Sequence, residues 1–193
     1  MGNPRLYPKL RYDVNQNFFW DDDKFPAVGQ QLYTPAGRLD FNYTEIGVDF
    51  AINARYPEEP LVQTAQMPHG FQLGTEIRPH IHWIQSQAAI PNWLMSYRIW
   101  LNGAAKPAYT LAAYTTNIYA YSAGDIMQIT LFPTIDCSSI VTTSAFIDII
   151  IYRDSANTST LFTGADPVAA TVTLKEYDHH LPLSKPGTIR EFS

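Results

Sequence analysis

Two histidines in one short segment are the residues best suited to chemistry in this sequence. His80 and His82 lie two positions apart within residues 74–83, GTEIRPHIHW. Because side chains alternate across a β-strand, both imidazoles are expected on one face, where they could share a metal ion. The alternative is a pair of sheet histidines held by hydrogen bonds to nearby side chains and backbone.

The last predicted strand offers further ligands. Alternation there puts Glu176, Asp178 and His180 on one face. These side chains can complete a site only if their strand neighbours the one that carries the two histidines. We expect no bound metal, and the candidate ligands, should one bind, are His80, His82 and His180.

The histidine spacing resembles the start of the first metal motif of cupins, in which a glycine stands six residues before a His-x-His pair. That motif continues with a glutamate, whereas this sequence has Gln85 or Gln87, neither of which is an anionic ligand. No second cupin motif follows Gly124. A cupin-like metal enzyme that uses His80 and His82 is therefore an alternative with half of its expected ligands missing.

Other catalytic templates are not present in the sequence. It contains no Gly-rich phosphate loop, no nucleophile elbow and no helical His-Glu-x-x-His. Cys137 has no neighbouring base or cation in sequence and is expected to be a buried, inert thiol. We therefore expect no enzyme activity, no catalytic residue and no cofactor. The carboxylates that a glycosidase pair would need are expected in solvated turns: Asp21–Asp23, Asp40, Glu45 and Asp49.

Composition excludes several classes of partner. The 193 residues suit one domain, and the net charge of −5 without a run of Lys or Arg argues against binding nucleic acid. No apolar stretch of about 18 residues and no signal peptide are evident, so no membrane segment is expected. The single cysteine fits synthesis in a reducing cytoplasm.

Short β-type segments separated by turn residues predict an all-β fold, a single jelly-roll-like antiparallel β-sandwich over residues 44–182. The Asn102-Gly103 pair, for example, favours a tight turn. The segment 146–152 is almost entirely apolar, which predicts a central strand. The predicted strands are 47–53, 61–67, 76–85, 93–101, 109–114, 126–132, 145–153 and 171–181.

Both ends of the chain are predicted to lie outside the sandwich. Residues 1–43 form an extended N-terminal arm, since four prolines block helix there, and residues 183–193 form a short tail. Phe18, Phe19 and Trp20 in the arm either pack against the core of their own chain or dock on a neighbouring subunit. The expected interface residues are Phe18, Phe19, Trp20, Arg190 and Glu191.

Four segments in order resemble a family of tailed-phage structural proteins. They are residues 66–70 (QMPHG), 74–83 (GTEIRPHIHW), 93–98 (WLMSYR) and 177–191 (YDHHLPLSKPGTIRE). Members of that family carry a Leu-Pro-His segment, a Gly-x-Asp-Ile-x-Pro-His-Val-His-Trp strand, a Trp-rich strand and an Asp-x-His strand before a Gly-Ser-Arg-x-Glu tail. Glu76 and Thr188 replace the family's Asp and Ser.

The resemblance implies a virion component, a capsid decoration or head–tail accessory protein, made in the host cytoplasm and acting by subunit packing. Its implied partners are the major capsid, neck or tail subunits and further copies of itself, as a trimer or along the shell lattice. It carries over no catalytic residues. A further alternative is a carbohydrate-binding tail appendage that stacks sugars on Trp93, Tyr119 and Tyr121.

Overall fold

The computed structural model describes residues 11–13, 18–27, 31–32, 40–42, 46–58, 60–114, 116–117, 127–140 and 145–183. Within these ranges the chain forms β-strands and no α-helix. Likewise, the described ranges hold no helix that is long and apolar enough to cross a membrane. The strands are β1 (Arg11–Asp13), β2 (Phe18–Pro26), β3 (Gln31–Leu32), β4 (Asp40–Asn42), β5 (Gly47–Phe50), β6 (Leu61–Gln66), β7 (Glu76–Ile84), β8 (Trp93–Leu101), β9 (Thr110–Ala113), β10 (Thr116–Asn117), β11 (Gln128–Leu131), β12 (Ile135–Asp136), β13 (Ala145–Arg153) and β14 (Val172–Leu183).

Two antiparallel sheets form a sandwich. The large sheet has the order β1-β2-β14-β7-β11-β10, with β5 paired to β14, β4 paired to β5 and β12 paired to β7. The small sheet has the order β3-β6-β13-β8-β9. The predicted jelly-roll-like β-sandwich is therefore confirmed, and each of the eight predicted strands is present with ends close to the predicted ones. Alternating apolar residues explain this agreement, because each strand buries one face against the other sheet.

The core lies between the sheets and is dominated by aromatic and branched side chains. Trp83 of the large sheet and Trp93 of the small sheet meet there, with ring centroids 6.2 Å apart. The indole N–H of Trp83 donates a hydrogen bond to the hydroxyl of Thr130 at 2.8 Å, which satisfies this buried donor. Strand β13 lies between β6 and β8, as predicted for a central strand.

Strand β14 carries a bulge that changes which of its residues face the core. Its register against β7 shifts between Leu174 and Glu176, so Lys175 is an extra residue. Leu174 before the bulge and Tyr177 after it both belong to the core. The alternation is thereby displaced, and Asp178 lies on the outer face of the large sheet.

A buried arginine ties the end of β13 to two other segments. Arg153 is fully buried, and its Nε atom lies 2.8 Å from the carboxylate of Asp166. Its Nη1 atom donates to the backbone carbonyls of Phe50 and Ala170, and its Nη2 atom donates to that of Val168. One guanidinium thus satisfies several carbonyls at the entrance to β14.

Part of the predicted N-terminal arm forms a strand of the large sheet. Strand β2 pairs with residues 176–183 of β14, and its Phe19 and Trp20 lie opposite Leu183 and Pro182. The backbone of Phe18 belongs to the same strand. Docking of these three aromatic residues on another subunit stays a prediction, as do the domain boundaries. The predicted interface residues Arg190 and Glu191 lie outside the described residues.

Candidate functional site

The pairing of β7 with β14 brings the predicted ligands together. The register places Asp178 opposite His80 and Glu176 opposite His82. The strand adjacency on which the predicted site depended is therefore present. Because of the bulge in β14, Glu176 and Asp178 lie on the same outer face of the large sheet as His80 and His82.

Three side chains converge there and are called the His–Asp cluster: His80, His82 and Asp178. The Nε2 atom of His80 lies 2.6 Å from Oδ1 of Asp178, and the Nε2 atom of His82 lies 3.3 Å from Oδ2 of the same carboxylate. One ligand atom from each residue lies within 4.8 Å of the others. Both imidazoles therefore direct a nitrogen at one carboxylate.

Burial and charge decide the protonation of the carboxylate. Asp178 is fully buried, while the side chain of His82 is 20% exposed. Burial acts to raise the pKa of Asp178, but its contacts with His80 and His82 outweigh burial and hold the pKa well below its ordinary value. The carboxylate is thus ionised at neutral pH and can act as an anionic ligand.

A lysine from β2 lies at the edge of the cluster. The Nζ atom of Lys24 is 3.3 Å from Oδ2 of Asp178 and 3.3 Å from Oε1 of Glu176. Its side chain is about half exposed, so it can move between the two carboxylates. The sequence pattern does not predict the position of Lys24, because nothing in residues 1–43 indicates that they supply a neighbour of β14.

The two histidines of β14, His179 and His180, point to opposite faces of the large sheet. His180, a predicted candidate ligand, is exposed, and its ring packs edge-on against that of His80 with centroids 4.8 Å apart. Among the described residues, it is not in the group of converging ligand atoms. His179 points to the other face, where burial lowers its pKa to about 4 and its Nδ1 atom is 3.0 Å from the hydroxyl of Tyr177.

The position of the missing cupin glutamate has a different role here. Gln85 is buried, and its side-chain amide donates to the backbone carbonyls of Gln87 and Ala89. It therefore holds the loop after β7. The third member of the cluster comes instead from β14, through Asp178, which sequence analysis placed on the correct face.

The other described residues considered as catalytic groups are buried or take part in the sheets. Cys137 is buried, as predicted, and burial raises the pKa of its thiol to about 12. Asp49 accepts a hydrogen bond from the hydroxyl of Thr173 at 2.5 Å and lies opposite Asp40 in the sheet register. Asp21–Asp23 belong to β2, Asp40 to β4 and Asp49 to β5, so their prediction as turn residues is wrong, and Glu45 lies outside the described residues.

One ring proposed for sugar stacking is not accessible. Trp93 is fully buried in the core, so its prediction as an exposed stacking residue is wrong. It faces inward because it alternates with the outward residues of β8 and packs against Phe50. Tyr119 and Tyr121 lie outside the described residues.

The outer face of the small sheet carries a second group, called the aromatic face: Trp100, Phe146, Tyr109, Arg98 and Asp148. The rings of Trp100 and Phe146 stack with centroids 4.5 Å apart, and the Arg98 guanidinium lies 4.2 Å from the centre of the Tyr109 ring. The Arg98 Nε atom is 2.7 Å from Asp148 Oδ2. Alternation along β8 and β13 indicates this face, but the pairing of the rings depends on register.

No protein-family model matches the sequence, and no curated protein matches it. Among solved structures, a xylan-binding module CBM15 has a TM-score of 0.41 at 14% identity, covering 83% of this chain and 97% of that one. TmCBM61 in complex with β-1,4-galactotriose has a TM-score of 0.36 at 8% identity, covering 78% and 86%. The enzymatically active domain of bacteriophage CBA120 tailspike protein 4 has a TM-score of 0.36 at 9% identity, covering 84% of this chain and 19% of that one. Likeness at these TM-scores is distant and supports no conclusion about function.

Proposed function

We propose that the chain is a non-enzymatic structural subunit of a tailed-phage virion, a capsid decoration or head–tail accessory protein that acts by packing against other subunits. The observation that carries the proposal is the position of the residues that resemble the phage family. Parts of three of the four segments lie on β7, β8 and β14, strands that meet in the sandwich.

Residues 74–83, 93–98 and 177–183 of the family-like segments come together in the fold although they are separated in sequence. Residues 74–83 fall mostly on β7 and residues 93–98 on β8, while β14 carries the beginning of the C-terminal segment. Strands β7 and β14 pair directly, and Trp83 of the first segment packs near Trp93 of the second.

Exposed apolar side chains at one end of the sandwich suit subunit packing. Loops 51–58 and 154–166 are joined there, since the Ser155 amide donates to the Ala54 carbonyl at 2.9 Å. These loops expose Ile52 (53%) and Leu161 (47%). Burial of these two side chains against a partner subunit would contribute favourably to packing.

The proposal is tested on particles of the phage that encodes the chain, purified through a density gradient. Quantitative mass spectrometry is expected to find the chain at a fixed copy number in every particle preparation. An Ile52→Asp/Leu161→Asp double variant, supplied in place of the natural chain, is expected to be incorporated at least about tenfold less, given the burial of apolar area at interfaces. The control is Ser139→Asp, which adds a charge at another exposed position. Absence of the natural chain from purified particles overturns the proposal.

A second function, carbohydrate binding, is favoured by the aromatic face of the small sheet. It presents aromatic rings beside charged and polar groups, the combination with which proteins stack and hydrogen-bond sugars. Trp100 is stacked on Phe146 and has the Lys106 Nζ atom 4.2 Å from its ring centre. Tyr109 is 37% exposed and is therefore the more accessible ring.

A glycan array followed by calorimetry tests this second function. Binding is expected to fall at least about tenfold in Tyr109→Ala, since ring contacts contribute roughly 1 kcal/mol or more. Leu161→Ala is the control, because it shortens an exposed apolar side chain on a loop outside the aromatic face. Binding to no glycan, or equal binding by both variants, contradicts it.

A further inference from the structure

We propose that His80, His82 and Asp178 together bind one divalent transition-metal ion of the Zn²⁺ type. The site would join β7 to β14 on the outer face of the large sheet. This inference does not depend on the proposed virion role, since it concerns a ligand of the isolated chain.

The first argument is the spacing of the ligand atoms. Zinc bonds to nitrogen and oxygen are about 2.0–2.2 Å, so two ligands at a tetrahedral ion are separated by roughly 3.4 Å. In the cluster, the two nitrogen–oxygen distances are 2.6 and 3.3 Å, and one ligand atom from each residue lies within 4.8 Å of the others. Shifts of about an ångström suffice to seat an ion, which side-chain rotation supplies without moving the strands.

The second argument is the chemistry of the donors. Two imidazole nitrogens and one carboxylate oxygen form a ligand set that suits zinc and its neighbours, and is unlike the all-oxygen sets of calcium and magnesium. The carboxylate of Asp178 supplies the anionic ligand. A solvent molecule takes the fourth position, since the His82 side chain is 20% exposed.

The third argument is hydrogen bonding within the cluster. Oδ1 of Asp178 and Nε2 of His82 are buried, and neither makes a hydrogen bond of acceptable geometry. Oδ1 nevertheless lies 2.6 Å from Nε2 of His80, and Nε2 of His82 lies 3.3 Å from Oδ2 of Asp178. Buried polar atoms are rarely left in this state. An ion placed between them satisfies both atoms at once.

The Lys24 ammonium opposes the ion and gives the proposal a distinctive consequence. Its Nζ atom is 3.3 Å from the same Asp178 oxygen that faces His82. A cation bound at the cluster repels this charge, so Lys24 must turn toward Glu176, which it already contacts at 3.3 Å. Removal of the lysine charge is therefore expected to strengthen metal binding.

The test uses the full-length chain, without a histidine tag and freed of metal by chelation. Zn²⁺ is titrated in competition with a chromogenic chelator, and Co²⁺ is used to record the visible absorption of a coordinated ion. We expect one ion per chain, at least about tenfold weaker binding in His82→Gln and Asp178→Asn, and a severalfold gain in Lys24→Gln, in line with the loss of one ligand or one repulsive charge.

His180→Ala is the matched control, because this histidine is on the same strand and its ring touches His80. It is expected to keep the affinity of the natural chain. Circular dichroism confirms that each variant is folded, and the half-exposed Lys24 provides a variant that does not disturb the core. Absence of binding at one equivalent, undiminished binding in His82→Gln, or equal loss in His180→Ala overturns the assignment.

Discussion

The Nε2 atom of His80 lies 2.6 Å from Oδ1 of Asp178, and this contact links two neighbouring strands of the large sheet. Both side chains are nearly or fully removed from solvent. The contact therefore joins a buried carboxylate to the imidazole that faces it, and loss of Asp178 removes the carboxylate that His80, His82 and Lys24 share.

Asp178→Asn is expected to destabilise the protein by about 2–4 kcal/mol at pH 7, because the contacts with His80, His82 and Lys24 lose the negative charge that they share. The measurement is the free energy of unfolding from urea denaturation in the presence of a chelator. Glu176→Gln is the control, since this carboxylate also contacts Lys24 but is 27% exposed, and its loss should be within about 1 kcal/mol. Equal stability of the two variants would contradict the role assigned to Asp178.

Asp148→Asn is expected to destabilise the small sheet by about 1–3 kcal/mol at pH 7. Burial acts to raise the pKa of Asp148, but contacts with Arg98, Trp100, Thr64 and Lys106 lower it overall. A lowered pKa in the folded state stabilises the protein above the unfolded value of about 3.9, and this stabilisation disappears as the pH falls through the folded value.

The pH dependence separates this effect from simple packing. Urea denaturation at pH 7, 5 and 3 should show the difference between natural chain and Asp148→Asn shrinking at the lowest pH. Lys106→Met, at the more distant contact of 3.6 Å, should cost less than about 1 kcal/mol. A difference for Asp148→Asn that stays constant down to pH 3 would show that its charge is unimportant.

Cys137 is expected to be unreactive in the folded protein. Its thiol is buried, with its pKa raised to about 12, whereas a free cysteine has a pKa of about 8.5. The rate of reaction with Ellman's reagent at pH 8 should be at least about 100-fold lower in native protein than in guanidinium, in proportion to the smaller thiolate fraction. Comparable rates in both conditions would mean that the thiol is accessible.

Gly47→Ala is expected to destabilise the protein by about 1–3 kcal/mol through steric overlap. A Cβ atom at Gly47 would lie 2.6 Å from the Leu174 carbonyl oxygen and 2.6 Å from Cγ2 of Thr173. Gly164→Ala is the control, because a Cβ atom added there would have no heavy atom within 4 Å beyond its chain neighbours. Thermal unfolding followed by circular dichroism compares them, and similar midpoints would refute the close packing of β5 on β14.

Local sequence pattern accounts for the parts of the fold that could be predicted. Apolar residues at every second position and turn residues between them locate the eight main strands, because each strand buries one face independently of its neighbours. The same alternation placed Asp178 and His180 on one face and His80 and His82 on one face. The candidate ligands were thus identifiable before their strands could be paired.

Long-range pairing accounts for most of what could not be predicted. Alternation does not specify that Asp178 lies opposite His80, nor that Lys24 comes from β2 to join them, because register depends on which strands are neighbours. Arg153 is a similar case. Its partners are a carboxylate and carbonyls of distant loops, so its sequence neighbours do not indicate that it is buried.

The pairing of β2 with β14 also constrains the order in which the two sheets can form during synthesis. Strand β14 lies near the carboxyl end of the chain, and its partner β2 near the amino end. During synthesis, β2 can pair with β1 early, but its pairing with β14 must wait until residues 176–183 have left the ribosome. The central strand of the small sheet, β13, precedes β14 in the sequence, so the small sheet can form first. Until then the edge of β2 that will pair with β14 is open, and pairing of that edge with a second nascent chain is the hazard of this topology.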